Sequence, residues 1–186
     1  MRIVLLGKNG QIGWELQRSL APLGEVIALD RHSQPAADLQ DPQALADTLA
    51  SLQAEVIVNA AAYTAVDKAE TEPDLAFLVN AEAPRILAAT AQSLGALLVH
   101  YSTDYVFNGS GTQAWQENAS TGPLNSYGQS KLAGEQAIQA SGCQHLIFRT
   151  SWVYAARGQN FAKTMLKLAQ NREQLSVVAD QWGAPT

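Results

Sequence analysis

The feature of this sequence that most constrains its fold is the alternation of short apolar runs with longer amphipathic segments. The runs are apolar throughout, with no polar-apolar alternation, which is typical of strands buried on both faces of a sheet. They are Arg2–Leu6, Glu25–Leu29, Glu55–Asn59, Ala96–Tyr101, Cys143–Arg149 and Leu175–Val178. The segments with helical periodicity are Gln11–Leu20, Pro42–Leu52, Asp74–Leu94, Tyr127–Ala140 and Asn160–Gln170. Because parallel strands need crossover helices, the pattern predicts an α/β fold with a doubly wound, mostly parallel sheet of the Rossmann type.

Length and composition limit the number of domains and the classes of partner. The 186 residues, 47% of them hydrophobic, are enough for one α/β core, and no linker interrupts them, so residues 1–186 are predicted to form one domain. A net charge of -5 with scattered Lys and Arg argues against nucleic-acid and anionic-membrane partners. The N-terminal apolar run is too short to span a bilayer, and the lone Cys143 suits a reducing compartment, so a cytoplasmic protein is expected.

A glycine-rich loop follows the first predicted strand and opens the first predicted helix. Its sequence, GKNGQIG, has the pattern G-x-x-G-x-x-G. Glycines there allow a tight turn and a close approach to a pyrophosphate, whose charge is favoured at the helix N-terminus. The alternative is a tight turn without a ligand. The loop residues expected to contact a dinucleotide are Gly7, Gly10, Gln11, Ile12 and Gly13.

Further candidate cofactor contacts follow the next two predicted strands. Asp30 ends the second strand roughly 20 residues beyond the glycines, where a carboxylate can accept hydrogen bonds from the adenosine ribose and favour NADH. Arg31 can instead pair with a 2′-phosphate, so NADPH and NADH both stay open. Asp38 and Leu39 could contact adenine, whereas the small residues after the third strand either approach the cofactor or only pack against a helix. The residues concerned in that third segment are Ala62, Tyr63 and Thr64.

A tyrosine and a lysine four residues apart form the candidate catalytic pair. Tyr127 and Lys131 share one face of a predicted helix. A free tyrosine has a pKa of about 10, and a nearby cation would favour its ionised form. Such pairs are also common on helix surfaces. Thr103, after the predicted strand Ala96–Tyr101, can hydrogen-bond a substrate carbonyl; Ser102 competes for this role, and strand alternation puts the two on opposite faces.

Six motifs along the chain resemble those of one enzyme family. They are GKNGQIG, NAAAYTAVDKAE, HYSTDYVF, NSYGQSKLAGE, RTSWVYA and DQWGAPT. The glycine loop and the Tyr-Lys pair indicate only a superfamily, whereas STDYVF, RTSWVYA and GAPT in this order are narrower. The chain resembles the dTDP-4-dehydrorhamnose reductases of the extended short-chain dehydrogenase/reductase superfamily.

The resemblance implies reduction of dTDP-4-dehydro-β-L-rhamnose to dTDP-β-L-rhamnose, a donor for bacterial cell-surface polysaccharide such as O-antigen. Tyr127 would be the proton donor, Lys131 its electrostatic partner and ribose ligand, and Thr103 the residue that orients the carbonyl. The positions implied for the cofactor are Gly10, Gln11, Ile12, Asp30, Asp38, Leu39, Ala62, Tyr63 and Thr64. Those implied for the dTDP-sugar are Thr103, Asp104, Tyr105 and Trp152, the last of which could instead pack in the core.

Related reductases continue past GAPT into a smaller helical substrate-binding lobe, so the resemblance implies a truncated chain whose activity by itself is open. It also implies a possible homodimer with Mg²⁺ held near Glu15, although Glu15 is more simply explained as a solvated helix carboxylate. Two other functions stay open. One is another sugar-nucleotide reductase or epimerase, and the other is a non-catalytic NADP-binding subunit resembling the regulatory partner of methionine adenosyltransferase.

Overall fold

A five-stranded, fully parallel sheet forms the centre of the molecule. The computed structural model describes residues 1–186. The strands are β1 (Arg2–Leu6), β2 (Glu25–Leu29), β3 (Val56–Asn59), β4 (Leu97–Thr103) and β5 (His145–Thr150). Their order is β2-β1-β3-β4-β5, so the chain changes winding direction between β1 and β3. In doubly wound sheets ligands bind at such a switch point, beyond the carboxyl ends of the strands.

Helices connect the strands, as parallel pairing requires. They are α1 (Gln11–Leu20), α2 (Pro42–Leu52), α3 (Val66–Ala69), α4 (Pro73–Phe77), α5 (Ala83–Leu94), α6 (Ser126–Ala140) and α7 (Phe161–Ala169). Asn125 and Asn160 cap α6 and α7, each accepting a hydrogen bond from a backbone amide in the first turn. The predicted doubly wound parallel sheet is therefore confirmed.

The two faces of the sheet are covered unequally. The larger core cluster joins buried strand residues such as Val4 and Ile57 to α2, α5 and α6, for example through Leu49 and Leu87. On the opposite face Leu5 and its neighbours pack against α1. Strand side chains are thus apolar on both faces, which explains the continuous apolar runs in the sequence.

The predicted helix Asp74–Leu94 is interrupted in the structure. A π-helical turn, Leu78–Glu82, separates α4 from α5 and contains the buried Asn80. Beside it, Gly134 of α6 lies so close that an added Cβ would be 2.1 Å from the Asn80 carbonyl oxygen. Apolar periodicity does not report such a turn, because the inserted residue changes the register without changing the composition.

Several predicted boundaries also differ. Strand β4 extends through Thr103, so Ser102 and Thr103 lie within the strand and not after it. The short helix α3 has no counterpart in the predicted helices. The predicted sixth strand, Leu175–Val178, is wrong: it forms no strand, and Val178 is 67% exposed. Strand-forming residue types form a strand only where a sheet edge pairs with them, and β5 pairs with β4 alone.

The C-terminal segment returns to the end of β5. The Thr186 amide donates to the Ser151 carbonyl at 3.0 Å, and the Tyr154 amide donates to the Thr186 carbonyl at 3.1 Å. No helix of the structure has the length and apolar character needed to cross a membrane.

Candidate active site

The glycine loop is shaped by contacts that exclude side chains. Gly7 has a positive φ of 84°, and its amide donates to the Leu29 carbonyl, which fixes the start of the loop to the end of β2. A Cβ on Gly13 would lie 2.1 Å from the Gly7 carbonyl oxygen, so α1 can begin this close to β1 only with glycine there. Gly10 precedes α1 without a side-chain cap, which leaves amides of the first turn available to an anion.

Asp30 lies at the end of β2, within a set of polar groups around the loop. Its carboxylate accepts hydrogen bonds from the Asn9 side chain and the Ser33 hydroxyl, and Lys8 Nζ lies 3.8 Å from its Oδ1. Burial works to raise the pKa of Asp30, but the hydrogen bonds from Ser33 and the His32 amide and the charge of Lys8 outweigh it and lower that pKa. Arg31 beside it is exposed. The structure therefore places a charged carboxylate at the expected ribose position.

The other predicted cofactor residues differ in how accessible their side chains are. Leu39 is buried in the larger core cluster, so only its backbone could contact a ligand. Asp38 accepts a hydrogen bond from the Gln40 amide and shapes the turn before α2. Ala62 is half-buried and Thr64 is exposed, while the Tyr63 hydroxyl donates to Glu72 at 2.6 Å. That hydrogen bond, followed by burial and the Glu72 charge, raises the pKa of Tyr63 to about 12.

Tyr127 and Thr103 meet at the carboxyl end of β4. The start of α6 approaches the loop after β4 because Gly128 carries no side chain; a Cβ there would be 2.3 Å from the Tyr105 carbonyl oxygen. Burial raises the pKa of Tyr127, while a hydrogen bond with the Thr103 side chain opposes that change. The structure therefore brings together the predicted phenol and hydroxyl, and it keeps the phenol protonated near neutral pH.

Ser102 points to a different environment. Its hydroxyl donates to Glu135 Oε1 at 2.5 Å, and Glu135 also forms an ion pair with Arg149 at 2.6 Å. The Arg149 guanidinium lies 4.9 Å from the centre of the Phe107 ring. Of the two hydroxyls left open by the sequence, Thr103 is thus the one beside Tyr127, and Ser102 belongs to a buried ion-pair network.

Lys131 is completely buried and hydrogen-bonded on the sheet side of α6. Its Nζ donates to the Tyr101 carbonyl at 2.7 Å and lies 3.2 Å from His100 Nε2. Burial lowers the pKa of Lys131 to about 8, and the charge of Glu135 opposes that change. The expected lowering of the Tyr127 pKa by Lys131 is not seen: burial of the phenol raises that pKa, and Lys131 is not among the groups that shift it.

Asn80 is a site residue that the sequence reasoning missed. Its side chain accepts from the Tyr63 amide at 2.9 Å and donates to the Tyr63 carbonyl at 3.0 Å. It also donates to the Ser130 hydroxyl at 3.1 Å, which in turn donates to the Tyr127 carbonyl. Asn80 therefore ties the segment after β3 to the start of α6. A polar residue inside a predicted amphipathic helix was the available signal.

The predicted substrate residues are only partly brought together. Tyr105 packs edge-on against Tyr127, with ring centres 5.6 Å apart, and the Thr103 hydroxyl donates to Asp104 at 3.2 Å. Trp152 is 50% exposed and adopts a left-handed backbone with φ of 47°, so it is not a core residue. Its indole lies against Gly183 of the C-terminal segment.

Glu15 does not form part of a metal site in this structure. Its carboxylate accepts from Arg18 one turn along α1 at 3.2 Å, an ordinary exposed helix pair. No group of three or more His, Cys, Asp or Glu side chains is arranged to hold a metal ion. The predicted Mg²⁺ therefore gains no support from this chain.

Comparison with known proteins agrees with this geometry. Residues 1–186 match the family described as RmlD substrate binding domain. The chain belongs to this family. It is 60% identical over 187 residues to the dTDP-4-dehydrorhamnose reductase of Salmonella typhimurium, and 57% identical to that of Escherichia coli. All of the chain is covered in both cases, and it spans 62% of the length of each relative.

Solved structures of family members have the same fold. The chain superposes on a dTDP-4-dehydrorhamnose reductase from Bacillus anthracis, solved in complex with NADP, with a TM-score of 0.93 at 41% identity. A reductase of the same name from Clostridium acetobutylicum gives 0.94 at 41% identity. In both cases the whole chain is covered, together with 65% of the solved structure.

Proposed function

We propose that this chain provides the cofactor-binding and catalytic part of a dTDP-4-dehydrorhamnose reductase. The reaction is NADPH- or NADH-dependent reduction of dTDP-4-dehydro-β-L-rhamnose to dTDP-β-L-rhamnose. One observation carries the proposal: Tyr127 and Thr103 lie side by side at the carboxyl end of β4, the sheet edge that also carries the glycine loop after β1. Relatives of that name at 60% and 57% identity support this choice of substrate.

The residues around β1 and β2 fit a dinucleotide. Added Cβ atoms at Gly7 and Gly13 would meet backbone atoms within 3.0 Å, so the loop is built for close backbone packing in front of α1. Uncapped amides at the α1 N-terminus suit a pyrophosphate, and the Asp30 carboxylate suits ribose hydroxyls. The exposed Arg31 can pair with a 2′-phosphate, which supports use of both NADPH and NADH. When bound, the nicotinamide supplies a hydride.

The chain's own residues would handle the carbonyl oxygen of the sugar. The Thr103 hydroxyl, which donates to Asp104 in this structure, would turn its hydrogen to the carbonyl oxygen of the sugar and so orient and polarise the carbonyl. Tyr127 transfers its phenolic proton to that oxygen as the carbon is reduced, which gives the alcohol. Burial raises the pKa of Tyr127, so the phenol still carries this proton near neutral pH. Lys131 would supply positive charge beside the resulting phenolate and bind the nicotinamide ribose.

The arrangement argues against one of the two other functions, and the named relatives argue against the other. A non-catalytic cofactor-binding subunit has no need of a phenol and a hydroxyl directed at one point, yet Tyr127 and Thr103 are both buried there. An epimerase or another sugar-nucleotide reductase would share this pair, and the substrate assignment relies on the identity to the named reductases. The predicted homodimer stays a prediction.

Turnover by a Tyr127→Phe variant tests the proposal. Since the chain spans 62% of the Salmonella typhimurium relative, we would assay it joined to the remaining residues of that protein. The product, dTDP-rhamnose, would be detected by mass spectrometry. Deuterium-labelled NADPH would show which sugar carbon receives the hydride. Removing the proton donor should lower turnover by a factor of roughly 100 to 10,000.

The matched control is Tyr101→Phe, which removes a phenolic hydroxyl that has no part in the proposed reaction and keeps the ring packed against Phe148. It should retain most of the turnover. Wild-type turnover in Tyr127→Phe, or deuterium recovered at a different sugar carbon, would refute the proposed reaction.

A further inference from the structure

The chain between β5 and α7 packs against the first turn of α1. An added Cβ on Gly158 would lie 2.8 Å from Gln11 Cγ, and Gly158 has a positive φ of 81°, so both features exclude a larger residue. Three residues further along α1, the Arg157 guanidinium lies 3.6 Å from the centre of the Trp14 ring. Asn160, the capping residue of α7, donates from Nδ2 to Gln11 Oε1 at 2.9 Å. These contacts hold the side chain of the residue that opens α1.

Two backbone groups fix the orientation of the Asn160 side-chain amide. Its Oδ1 accepts from the Lys163 amide at 3.0 Å, and a backbone N–H can only donate. Its Nδ2 donates to the Ala155 carbonyl at 2.8 Å, and a carbonyl can only accept. The group that Asn160 turns to Gln11 is therefore its NH₂ group. The Gln11 atom that faces it must be the side-chain oxygen.

The Asn160 contact leaves Gln11 with a free NH₂ group. The Gln11 oxygen is bonded to Asn160, whereas Gln11 Nε2 makes no hydrogen bond within the chain. No buried side-chain nitrogen or oxygen lacks a partner, so this Nε2 is open to solvent. Gln11 begins α1, whose first turn has no side-chain cap. An NH₂ group only donates and phosphate oxygens accept, so the free half of Gln11 suits an anion.

We propose that Asn160 is a positioning residue for the dinucleotide: by binding the Gln11 oxygen, it makes Gln11 meet the pyrophosphate with its NH₂ group. The inference rests on the proposed function, in which the pyrophosphate lies at the start of α1. The opposite orientation of Gln11 would place its oxygen against phosphate oxygens, and two acceptors cannot share a hydrogen bond. Through Asn160, the position of α7 then affects how the cofactor is bound.

Asn160 serves two helices with two different atoms, and a substitution can separate these roles. Its Oδ1 caps α7, and its Nδ2 binds Gln11 of α1. The isosteric variant Asn160→Asp keeps an oxygen for the Lys163 amide, and aspartate caps helices about as well as asparagine. It removes the NH₂ group. Gln11 must then turn its own NH₂ group to the new carboxylate and present its oxygen to the ligand.

Binding of NADPH to this chain, measured by titration calorimetry, tests the role of Asn160. Asn160→Asp should weaken binding roughly 10-fold or more, because the pyrophosphate loses a donor and meets an acceptor. The added negative charge contributes to that loss, so the same substitution is repeated in a Gln11→Ala background. There the loss should be about 3-fold or less. Equal losses in the two backgrounds would overturn the inference, since Asn160 would then act without Gln11.

The orientation of Gln11 can be tested without a ligand. Its side-chain NH₂ signals in ¹H–¹⁵N spectra, assigned by their loss in Gln11→Ala, should move in Asn160→Asp, where the group gains a carboxylate partner. Unchanged signals would overturn this inference alone, whereas a folded wild-type chain that binds no NADPH would overturn the proposed function as well.

A second variant covers the case in which Asn160→Asp does not fold. Asn160→Ser keeps a capping oxygen, carries no charge and is too short to reach Gln11. It should weaken NADPH binding roughly 3-fold, because Gln11 is then free to adopt either orientation. Wild-type affinity in folded Asn160→Ser would overturn the inference.

Discussion

The glycine loop and the cluster of Tyr127, Thr103 and Asn80, here called the Tyr127 cluster, lie at the same edge of the sheet but are built differently. The loop is held by backbone atoms: the Gly7 carbonyl confines Gly13, while Gly7 is confined by the backbone of Ala60 and Ala61 after β3 and bonded to Leu29 of β2. The Tyr127 cluster is assembled from distant parts of the chain. Thr103 comes from β4, Asn80 from the π-helical turn and Tyr127 from α6.

Because of this difference, the spacing of residues in the sequence can predict the glycine loop, whereas the contacts of the Tyr127 cluster depend on the fold. The stability of a loop held by backbone contacts should fall when a side-chain atom is added and should depend little on charge. A cluster held by buried polar side chains should be sensitive to the loss of a single partner. Variants in each region can therefore test this difference.

The largest effect is expected from removing the Thr103 hydroxyl. Thr103→Val keeps the shape of the side chain and should lower turnover of the completed enzyme by roughly 100-fold to 1,000-fold, as loss of one donor to a developing oxyanion does. Steady-state kinetics of the variant and the wild type would measure this loss of turnover. Ser102→Ala is the paired control, because the Ser102 hydroxyl faces Glu135 and not Tyr127. Equal losses in the two variants would show that the hydroxyls had been assigned to the wrong roles.

The second effect concerns the stability contributed by the buried network of Ser102, Glu135 and Arg149. Glu135 is 1% exposed, and Glu135→Leu leaves Arg149 and the Ser102 hydroxyl without their partner. The free energy of unfolding should fall by about 3 kcal/mol or more. The exposed pair of Glu82 and Arg85 is the control, and Glu82→Leu should cost at most about 1 kcal/mol. Urea denaturation of both variants checks the difference, and similar costs would refute a structural role for the buried pair.

The third effect tests the close backbone packing of the glycine loop. Gly13→Ala places a methyl group 2.1 Å from the Gly7 carbonyl oxygen, and relieving that overlap should cost about 2 to 3 kcal/mol. At Gly10 the nearest atom would be 3.4 Å away, so Gly10→Ala should change stability by less than about 1 kcal/mol. Thermal unfolding of the two variants would measure the difference in their stability. A stable Gly13→Ala protein would mean that α1 does not approach β1 as closely as described.

The smallest effect is a pH dependence caused by Lys131. Its pKa is about 8 in the folded protein and 10.5 ordinarily, so between these values the unfolded chain binds a proton that the folded protein lacks. Stability should therefore rise with pH, by about 2 kcal/mol from about pH 8 to about pH 10. Burial raises the pKa of Tyr101 and Tyr127, which opposes this rise at higher pH. The Lys131→Met variant should lose the rise; an unchanged slope would show that Lys131 is charged when folded.

The same contrast explains which features the sequence could predict. The sheet, the glycine loop and Asp30 follow from apolar runs and spacing, because their partners are close along the chain or supplied by the backbone. The π-helical turn around Asn80 and the buried partner of Ser102 depend on contacts 50 and 33 residues apart, which no local pattern encodes. The strand expected at Leu175–Val178 failed for a related reason: suitable residue types form a strand only when they pair with a sheet edge, and this segment does not pair with the free edge of β5.

Titration calorimetry of this chain with NADPH, NADH and dTDP-rhamnose tests the central claim most directly. We expect saturable binding of a nicotinamide cofactor, retained in Tyr127→Phe because the phenol acts on the sugar carbonyl and not on the glycine loop. Failure of the folded chain to bind either cofactor would contradict the account, because the loop between β1 and α1 would then be a turn without a ligand.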